Sequence, residues 1–466
     1  MSDPALLSLT EVAAQLRERK LSSVEVTRAL LARIERWQPK LNAFVRIEAD
    51  AALAAAKAAD AELARSGPKG ALHGVPLAHK DMYYFAGQPA GCGSKIREGW
   101  IPSQTSTVIR HLQDAGAIRL GALHMVEFAM GPTGHNAYLG PARNPWDTAR
   151  VTGGSSSGPG AAVAARLTYA ALGSDTGGSI RTPANFCGVT GFKPSYGRVS
   201  RANVMPLSFT LDTVGPLCRS AEDCALIAAL LFGEDPLDPV TAGAPAWNQA
   251  AARREVSSLK VGVPRRFYVD DLEPDVAAAL DATIAMVRKL GAQVVSLELP
   301  DRKPIDAAAF VVLSAEATSF HAPWLRTRAQ DYTPPVRARL ESGLAYSAVE
   351  YLEALRWRGP ALAAHLEGIG DVDIILAPAA RTVAPKIADT EPSGANANAI
   401  KEMSAFLRPM NYLGVPALVV PVAHTAAGLP IGVQLIGRPL GDETLIALGC
   451  ALQQVSDEHL RVPQLL

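Results

Sequence analysis

The sequence predicts an α/β protein with a largely buried, mostly parallel or mixed sheet. Two observations predict that class. Short apolar runs ended by Gly, Asp or Lys recur along the chain, among them "GVPLAHKD", "GAIRLGAL" and "LTYAALGSDT". Helical stretches such as "TSTVIRHLQDAG" and "GAAVAARL" lie between them. Strands that alternate with helices are covered on both faces, so they read as apolar runs rather than as apolar–polar alternation. A hydrophobic content of 48% over 466 residues supplies the core. That length fits two or three average domains or one unusually large α/β domain.

The elements follow in order. Ser8-Leu9-Thr10-Glu11 and Ser22-Ser23-Val24-Glu25 are capping boxes. In each, the serine oxygen takes a free amide of the first turn and the glutamate reaches back, so each opens an amphipathic helix. The alanine-rich stretch from about Asp50 to Leu63 is a third helix, because alanine has the best helix propensity and no Gly or Pro interrupts it. After the three runs quoted above, later strands are expected at "LKVGVP", "QVVSLELP", "DIILAPA", "PALVVPV" and "IGVQLIG". The helix "GDETLIALGCALQQV" follows the last. Residues 233–257 and 386–400, rich in Asp, Pro, Ala, Gly or Asn, read as surface excursions, since strand–helix texture continues on both sides of each.

Charge is balanced, 45 basic against 45 acidic residues, which gives no electrostatic argument for nucleic acid or an anionic membrane. Cys92, Cys187, Cys218, Cys224 and Cys450 form no C-x-x-C pair and are odd in number. They read as reduced thiols of a cytoplasmic protein. The nine histidines show no H-E-x-x-H or paired-ligand spacing, so neither a metal nor a cofactor is expected. "MSDPALLSLTEVAAQLRERK" lacks the basic start and apolar core of a signal peptide. No run approaches the ~18 apolar residues of a membrane span.

Two Gly/Ser segments carry the functional question: "VTGGSSSGPG" at 151–160 and "GSDTGGSIRTP" at 173–183. Ser156 stands in a G-x-S-x-G frame, but a nucleophile elbow needs a buried strand before it and an acid and a histidine after it. "NPWDTARVT" is a poor central strand, and His321, His365, His424 and His459 have no supporting context. A P-loop needs Gly-Lys-Ser/Thr, which "GGSSSGPG" lacks, and "GPGAAV" lacks the third glycine of a dinucleotide fingerprint. Either segment alone reads as a turn. Together, about 24 residues apart and downstream of Lys80 at the end of an apolar strand, they read as a catalytic assembly. A serine is a weak nucleophile until a base takes its proton. Lysine serves as that base only when burial or nearby positive charge lowers its pKa. Thr176-Gly177-Gly178-Ser179 lets several backbone amides converge on one point, an oxyanion hole built from main chain.

At these residues the sequence resembles the amidase signature family of serine hydrolases. The resemblance rests on "GVPLAHKD", "EFAMG", "NPWD", "GGSSSG", "GSDTGGSIRTPANFCGVTGFKPSYGRVSR" and "LDTVGPL", and resumes at "PMNYLGVPALVVPV" and "GLPIGVQLIGRP". It implies one α/β/α domain over residues 1–466, a twisted mixed central sheet covered by helices, with N-terminal helices at about 8–65 and the signature core at about 70–220. It implies a Ser–cis-Ser–Lys triad of Lys80, Ser155 and Ser179, with Ser179 the nucleophile, Ser155 the relay after a cis Gly154–Ser155 bond, and Lys80 the base. Ser156 matches a further polar position of the site. Ser157 and Pro159 depart from the common Gly-Gly-Ser-Ser-Gly-Gly pattern, and only local adjustment is expected.

Glutaminyl-tRNA amidotransferases of the related transamidating kind share "EFAMG" and "GSDTGGSIR" and hold the glutamine amino group with an aspartate. Ser404 aligns there, while Arg339 matches their carboxylate-binding arginine. The expected activity is hydrolysis of a small neutral amide, with a carbamate or urea as the alternative and transamidation behind both. The expected partner is that small molecule, and a homodimer is compatible with the resemblance. Candidate pocket residues are Tyr83, Met130, Gly131, Ser156 and Phe186, with Met82, Tyr138 and Leu407 as further wall.

Overall fold

The computed structural model describes residues 3–390, 400 and 402–464. Both capping boxes form as read: Ser8 caps the helix Leu9–Arg17 and Ser22 caps Ser23–Leu41. The alanine-rich helix runs Ala49–Ser66. A three-stranded sheet follows, in the order Phe44–Ile47, Ile118–Leu123, Pro76–Lys80.

The main sheet has eight strands in the order Gln293–Leu297, Lys260–Pro264, Ile374–Pro378, Pro430–Gly437, Ala417–His424, Thr190–Lys193, Thr213–Cys218, Ala170–Asp175. The first three pair in parallel and the remaining neighbours are antiparallel. The sheet is therefore mixed with an antiparallel majority. Ala417–His424 and Pro430–Gly437 are joined by five residues, and a connection that short permits only antiparallel pairing.

Helices cover both faces. A Cβ on Gly449, in the helix Asp442–Gln454, would lie 2.6 Å from Leu418 Cδ2. One on Gly432 would meet Asn185 Oδ1, of the helix Arg181–Cys187, and Val419. Successive residues of a strand point to opposite faces, so Leu418 and Val419 mark the two helical layers.

The seam between the sheets positions the site. Pro76–Lys80 has no backbone ladder to Ala170–Asp175. Side chains join them instead: the Leu172 amide donates to His79 Nδ1 at 3.1 Å, and the Ala78 amide donates to Thr168 Oγ1 at 3.1 Å. Buried amides need partners whether or not a strand supplies them.

Residues 233–257 form short 3-10 turns at Pro239–Thr241, Ala251–Arg253 and Val256–Ser258, as an excursion should. Of 386–400, one turn covers Ile387–Thr390, while 391–399 lie outside the described residues. The long helices Arg302–Arg328 and Ala348–Ile369 were not legible as elements. Each carries an interior proline, Pro323 and Pro360, which argues against a helix when read locally.

Candidate active site

Lys80 ends its strand with only 1% of its surface exposed. Its Nζ donates to Ser155 Oγ at 2.7 Å and to Ser174 Oγ at 2.8 Å. Burial lowers its ammonium to about 7, against the opposing pull of Asp212 and Asp175. A neutral amine is thus within reach near neutral pH, as a general base requires.

The peptide bond Gly154–Ser155 is cis. The three consecutive serines take three different partners. Ser155 meets Lys80. Ser156 Oγ donates to the Ser174 carbonyl at 3.3 Å and accepts the Ser174 amide at 3.4 Å. Ser157 Oγ pairs with His124 Nδ1 at 2.9 Å, while His124 Nε2 meets the Gly140 carbonyl at 2.9 Å. Gly158 is needed beside them, because a Cβ there would lie 2.4 Å from the His124 nitrogen and 2.5 Å from the Ala43 carbonyl oxygen. The helix Ser157–Ala164 starts two residues after Ser155 and takes in Pro159 near its N-terminus.

Ser179 lies in the turn between Ala170–Asp175 and Arg181–Cys187, and it is partly exposed where nearly everything around it is buried. The Ser156 amide donates to the Ser179 carbonyl at 3.2 Å, which joins the two Gly/Ser segments. The Ser179 hydroxyl takes no hydrogen bond from the described residues, so the structure makes the Lys80–Ser155 link and leaves the Ser155–Ser179 link open.

Asp175 shapes this turn. Its carboxylate accepts the amides of Gly178 at 2.7 Å and Ile180 at 3.1 Å, pairs with Arg181 at 2.9 Å and takes Asn411 Nδ2 at 2.9 Å. Burial by itself would push the Asp175 carboxyl up, but the Arg181 guanidinium and these bonds hold it below the usual carboxylate range. Arg181 also donates to Gln434 Oε1 at 2.6 Å and Asn411 Oδ1 at 2.8 Å.

The amide of Gly178 therefore faces inward, toward Asp175. Of the four amides expected at the oxyanion, those of Thr176, Gly177 and Ser179 have no acceptor among the described residues. Gly178 is glycine for its φ of +119° and for Leu407, whose Cβ would be 2.9 Å from any added Cβ. Thr176 Oγ1 donates to Asp212 Oδ1 at 2.5 Å, and burial raises Asp212 to about 6.

The pocket candidates divide. Gly131 is partly exposed, and the Met130 carbonyl accepts Arg339 Nη1. Tyr83 is buried with its hydroxyl on the Gly173 carbonyl at 2.6 Å. Phe186 is fully buried in an apolar cluster with Val151, Ala380, Ala384 and Met403, which leaves it no surface to offer a ligand. Tyr138 is exposed, and Met82 lines a cavity that also reaches Ser174. Ser404 Oγ accepts from Arg408 Nη2 at 2.8 Å.

Sequence reading missed Ser174, Asp175, Arg181, Asn411 and Gln434 as site residues. A signal was present for Gln434, the polar residue of the apolar run "IGVQLIG".

The profile of the Amidase family matches residues 25–446. The chain belongs to the amidase family. It is similar to the A-type component of a glutamyl-tRNA(Gln) amidotransferase from Geobacter metallireducens, 39% identical over 97% of this chain and 98% of that one. Its fold is similar to a solved chain from a vestigial protein complex that reveals the evolutionary origins of an s-triazine catabolic enzyme. That chain shares 35% identity and a TM-score of 0.90, covering 96% of this chain and 98% of the other. Peptide amidase from Stenotrophomonas maltophilia is similar at 28% identity and a TM-score of 0.84, with 98% of each chain covered. The mixed α/β architecture is that of the amidases. No helix among the described residues of this chain is long and apolar enough to cross a membrane.

Proposed function

We propose that this amidase, acting as one domain over residues 1–466, hydrolyses the carbon–nitrogen bond of a neutral amide through an acyl-enzyme on Ser179. The observation that carries the reading is the Lys80 Nζ to Ser155 Oγ bond of 2.7 Å beside a turn that exposes Ser179. Neutral Lys80 takes a proton through Ser155 as Ser179 attacks the carbonyl. The free amides of Thr176, Gly177 and Ser179 receive the oxyanion. The relay returns the proton to the leaving nitrogen, and water then cleaves the ester by the same route. Carbamates and ureas present the same carbonyl to the same groups.

A second reading, glutamine-dependent transamidation with partner chains, is favoured by the 39% identity to an amidotransferase component. Ser404 weighs against it. The Arg408 guanidinium is ion-paired with Asp306 and also bonds Ser404, where those transamidating relatives place an acid, so position 404 itself offers an α-ammonium no carboxylate. Purified protein should label with a fluorophosphonate at Ser179, lose that label as Ser179→Ala, and show higher kcat/KM for an aryl-substituted primary amide or carbamate than for free glutamine. Undiminished labelling of Ser179→Ala would sink the nucleophile assignment. Glutamine as the better substrate would put transamidation first.

A further inference from the structure

A cavity of about 220 Å³ opens beside the proposed site. It is lined by Met82, Val204, Met205 and Phe209, with Ser174, Thr213, Asp212 and the Arg201–Asp238 ion pair as polar groups in its wall. Ser174 is the second partner of Lys80, so the cavity stands one hydrogen bond from the proposed base and two from Ser155. It is smaller than the ~300–1,000 Å³ of drug-sized ligand sites, which limits an occupant to a few heavy atoms.

Asp212 gives the cavity its chemistry. Its oxygens accept Thr176 Oγ1 at 2.5 Å and the amides of Leu207 at 2.8 Å and Ser208 at 3.0 Å. All three donors are neutral. The Arg201 guanidinium also lines the cavity but is committed elsewhere: Nε and Nη2 hold Asp238 at 3.0 and 3.1 Å, and Nη1 holds the Phe209 carbonyl. A buried carboxylate with no ion pair among the described residues, at a small and largely apolar cavity whose one guanidinium is already paired, suits a small organic cation.

Amide cleavage on Ser179 would produce such a species, and the Ser174–Lys80–Ser155 hydrogen bonds tie the cavity to the proposed relay. As the tetrahedral intermediate collapses, the carbon–nitrogen bond breaks, its electron pair stays on nitrogen, and nitrogen takes the proton that Ser179 gave up, passed back through Ser155. The released primary amine is protonated from solvent at neutral pH. We propose that the cavity is the leaving-group subsite, which receives ammonium or a short alkylammonium with Asp212 as counter-ion. The inference rests on the acyl-enzyme reading above and adds to it the amine side of the substrate: primary amides and short N-alkyl amides.

The test uses the full chain with p-nitrophenyl acetate, which acylates Ser179 without bringing an amine, and methylamine as the probe. In acyl transfer the methylamine nitrogen bonds the acetyl carbon, the bond to Ser179 Oγ breaks, and a nitrogen proton returns to Ser179 Oγ through Ser155 and Lys80, giving N-methylacetamide. Formation of that amide should saturate with methylamine concentration. Ala202→Trp, which fills the cavity wall, and Asp212→Asn should each raise the half-saturating concentration at least about tenfold, the scale of a lost buried charge partner.

Transfer that rises without saturation, or saturation unmoved by Ala202→Trp, overturns the subsite. Should Asp212→Asn fail to fold, Ala202→Trp decides alone. Fluorophosphonate labelling on the same samples separates the two failures. Label on Ser179 with unsaturable transfer refutes only the subsite, whereas absent label refutes the acyl-enzyme reading beneath it.

Discussion

Two lysines end strands inside this protein, Lys80 on Pro76–Lys80 and Lys193 on Thr190–Lys193. Both are buried, and burial lowers each to about 7. Their surroundings differ. Lys80 meets two serine hydroxyls, and one of them stands next to the segment that exposes Ser179. Lys193 meets only the Pro194 carbonyl, at 2.9 Å, and lies in the charge field of Arg181, Asp175, Asp442 and Arg358. A carbonyl accepts but never donates, so it cannot pass a proton onward. A lowered pKa makes a lysine available as a base. Only a chain of hydroxyls leading to an accessible group gives it something to do.

The widest separation of the two should come from truncation. Lys80→Met is expected to lower amide turnover by about 10,000-fold, the scale of losing a base that serves a nucleophile. Lys80→Arg should not rescue it, because guanidinium stays protonated. Lys193→Met is expected to change turnover by less than about tenfold, the scale of a single hydrogen bond. Steady-state kinetics on one neutral amide checks all three, and a Lys80→Met protein with near-normal turnover breaks the comparison.

Ser174→Ala sharpens it. Lys80 then keeps one hydroxyl of two, and kcat should fall by about tenfold or more, as for a lost hydrogen bond to a charged group. In the wild type, log kcat/KM should rise with pH and level off above about 7, where Lys80 becomes neutral. Ser174 accepts from the charged ammonium, so its removal disfavours that form and should move the rising limb to lower pH. An unmoved limb in the Ser174→Ala profile would make the serine a packing residue.

The smallest effect is on stability. Each lysine has a folded pKa below its unfolded value of about 10.4. Between about pH 7 and 10 the unfolded chain binds more protons, so stability should rise with pH across that window, and below it the cost of burying the charge is fully present. Lys193→Met should flatten that slope without removing it, since Lys80 still contributes. Urea midpoints at pH 7 and pH 9 for both proteins measure the difference.

The strands of the site were legible because each is a short apolar run with a breaking residue at its end. So were both capped N-terminal helices, whose Ser–Glu spacing needs only local hydrogen bonds. The candidate base and serines stood out through the conjunction of two Gly/Ser segments with a strand-ending lysine, and the family resemblance assigned their roles. What sequence spacing could not supply is which partners lie within hydrogen-bond distance. Ser174 is adjacent to Asp175 in the chain, yet one holds Lys80 and the other holds Arg181, because neighbours on a strand face opposite ways.

The inward turn of the Gly178 amide depends on that same Asp175, and the grip of Asn411 and Gln434 on the turn spans more than 230 residues of chain. Phe186 shows the same limit from the other side: "ANFCG" gives an aromatic in the helix that follows the proposed nucleophile, and only packing against Ala380 and Met403 decides that it is core. Sequence determined the elements and the chemistry available at their ends, because helix caps, apolar runs and side-chain types are local properties. Tertiary structure decided which hydroxyl meets which lysine, which amide stays free and which cavity opens behind them, because burial and hydrogen-bond distance are set by segments that meet only in the folded chain.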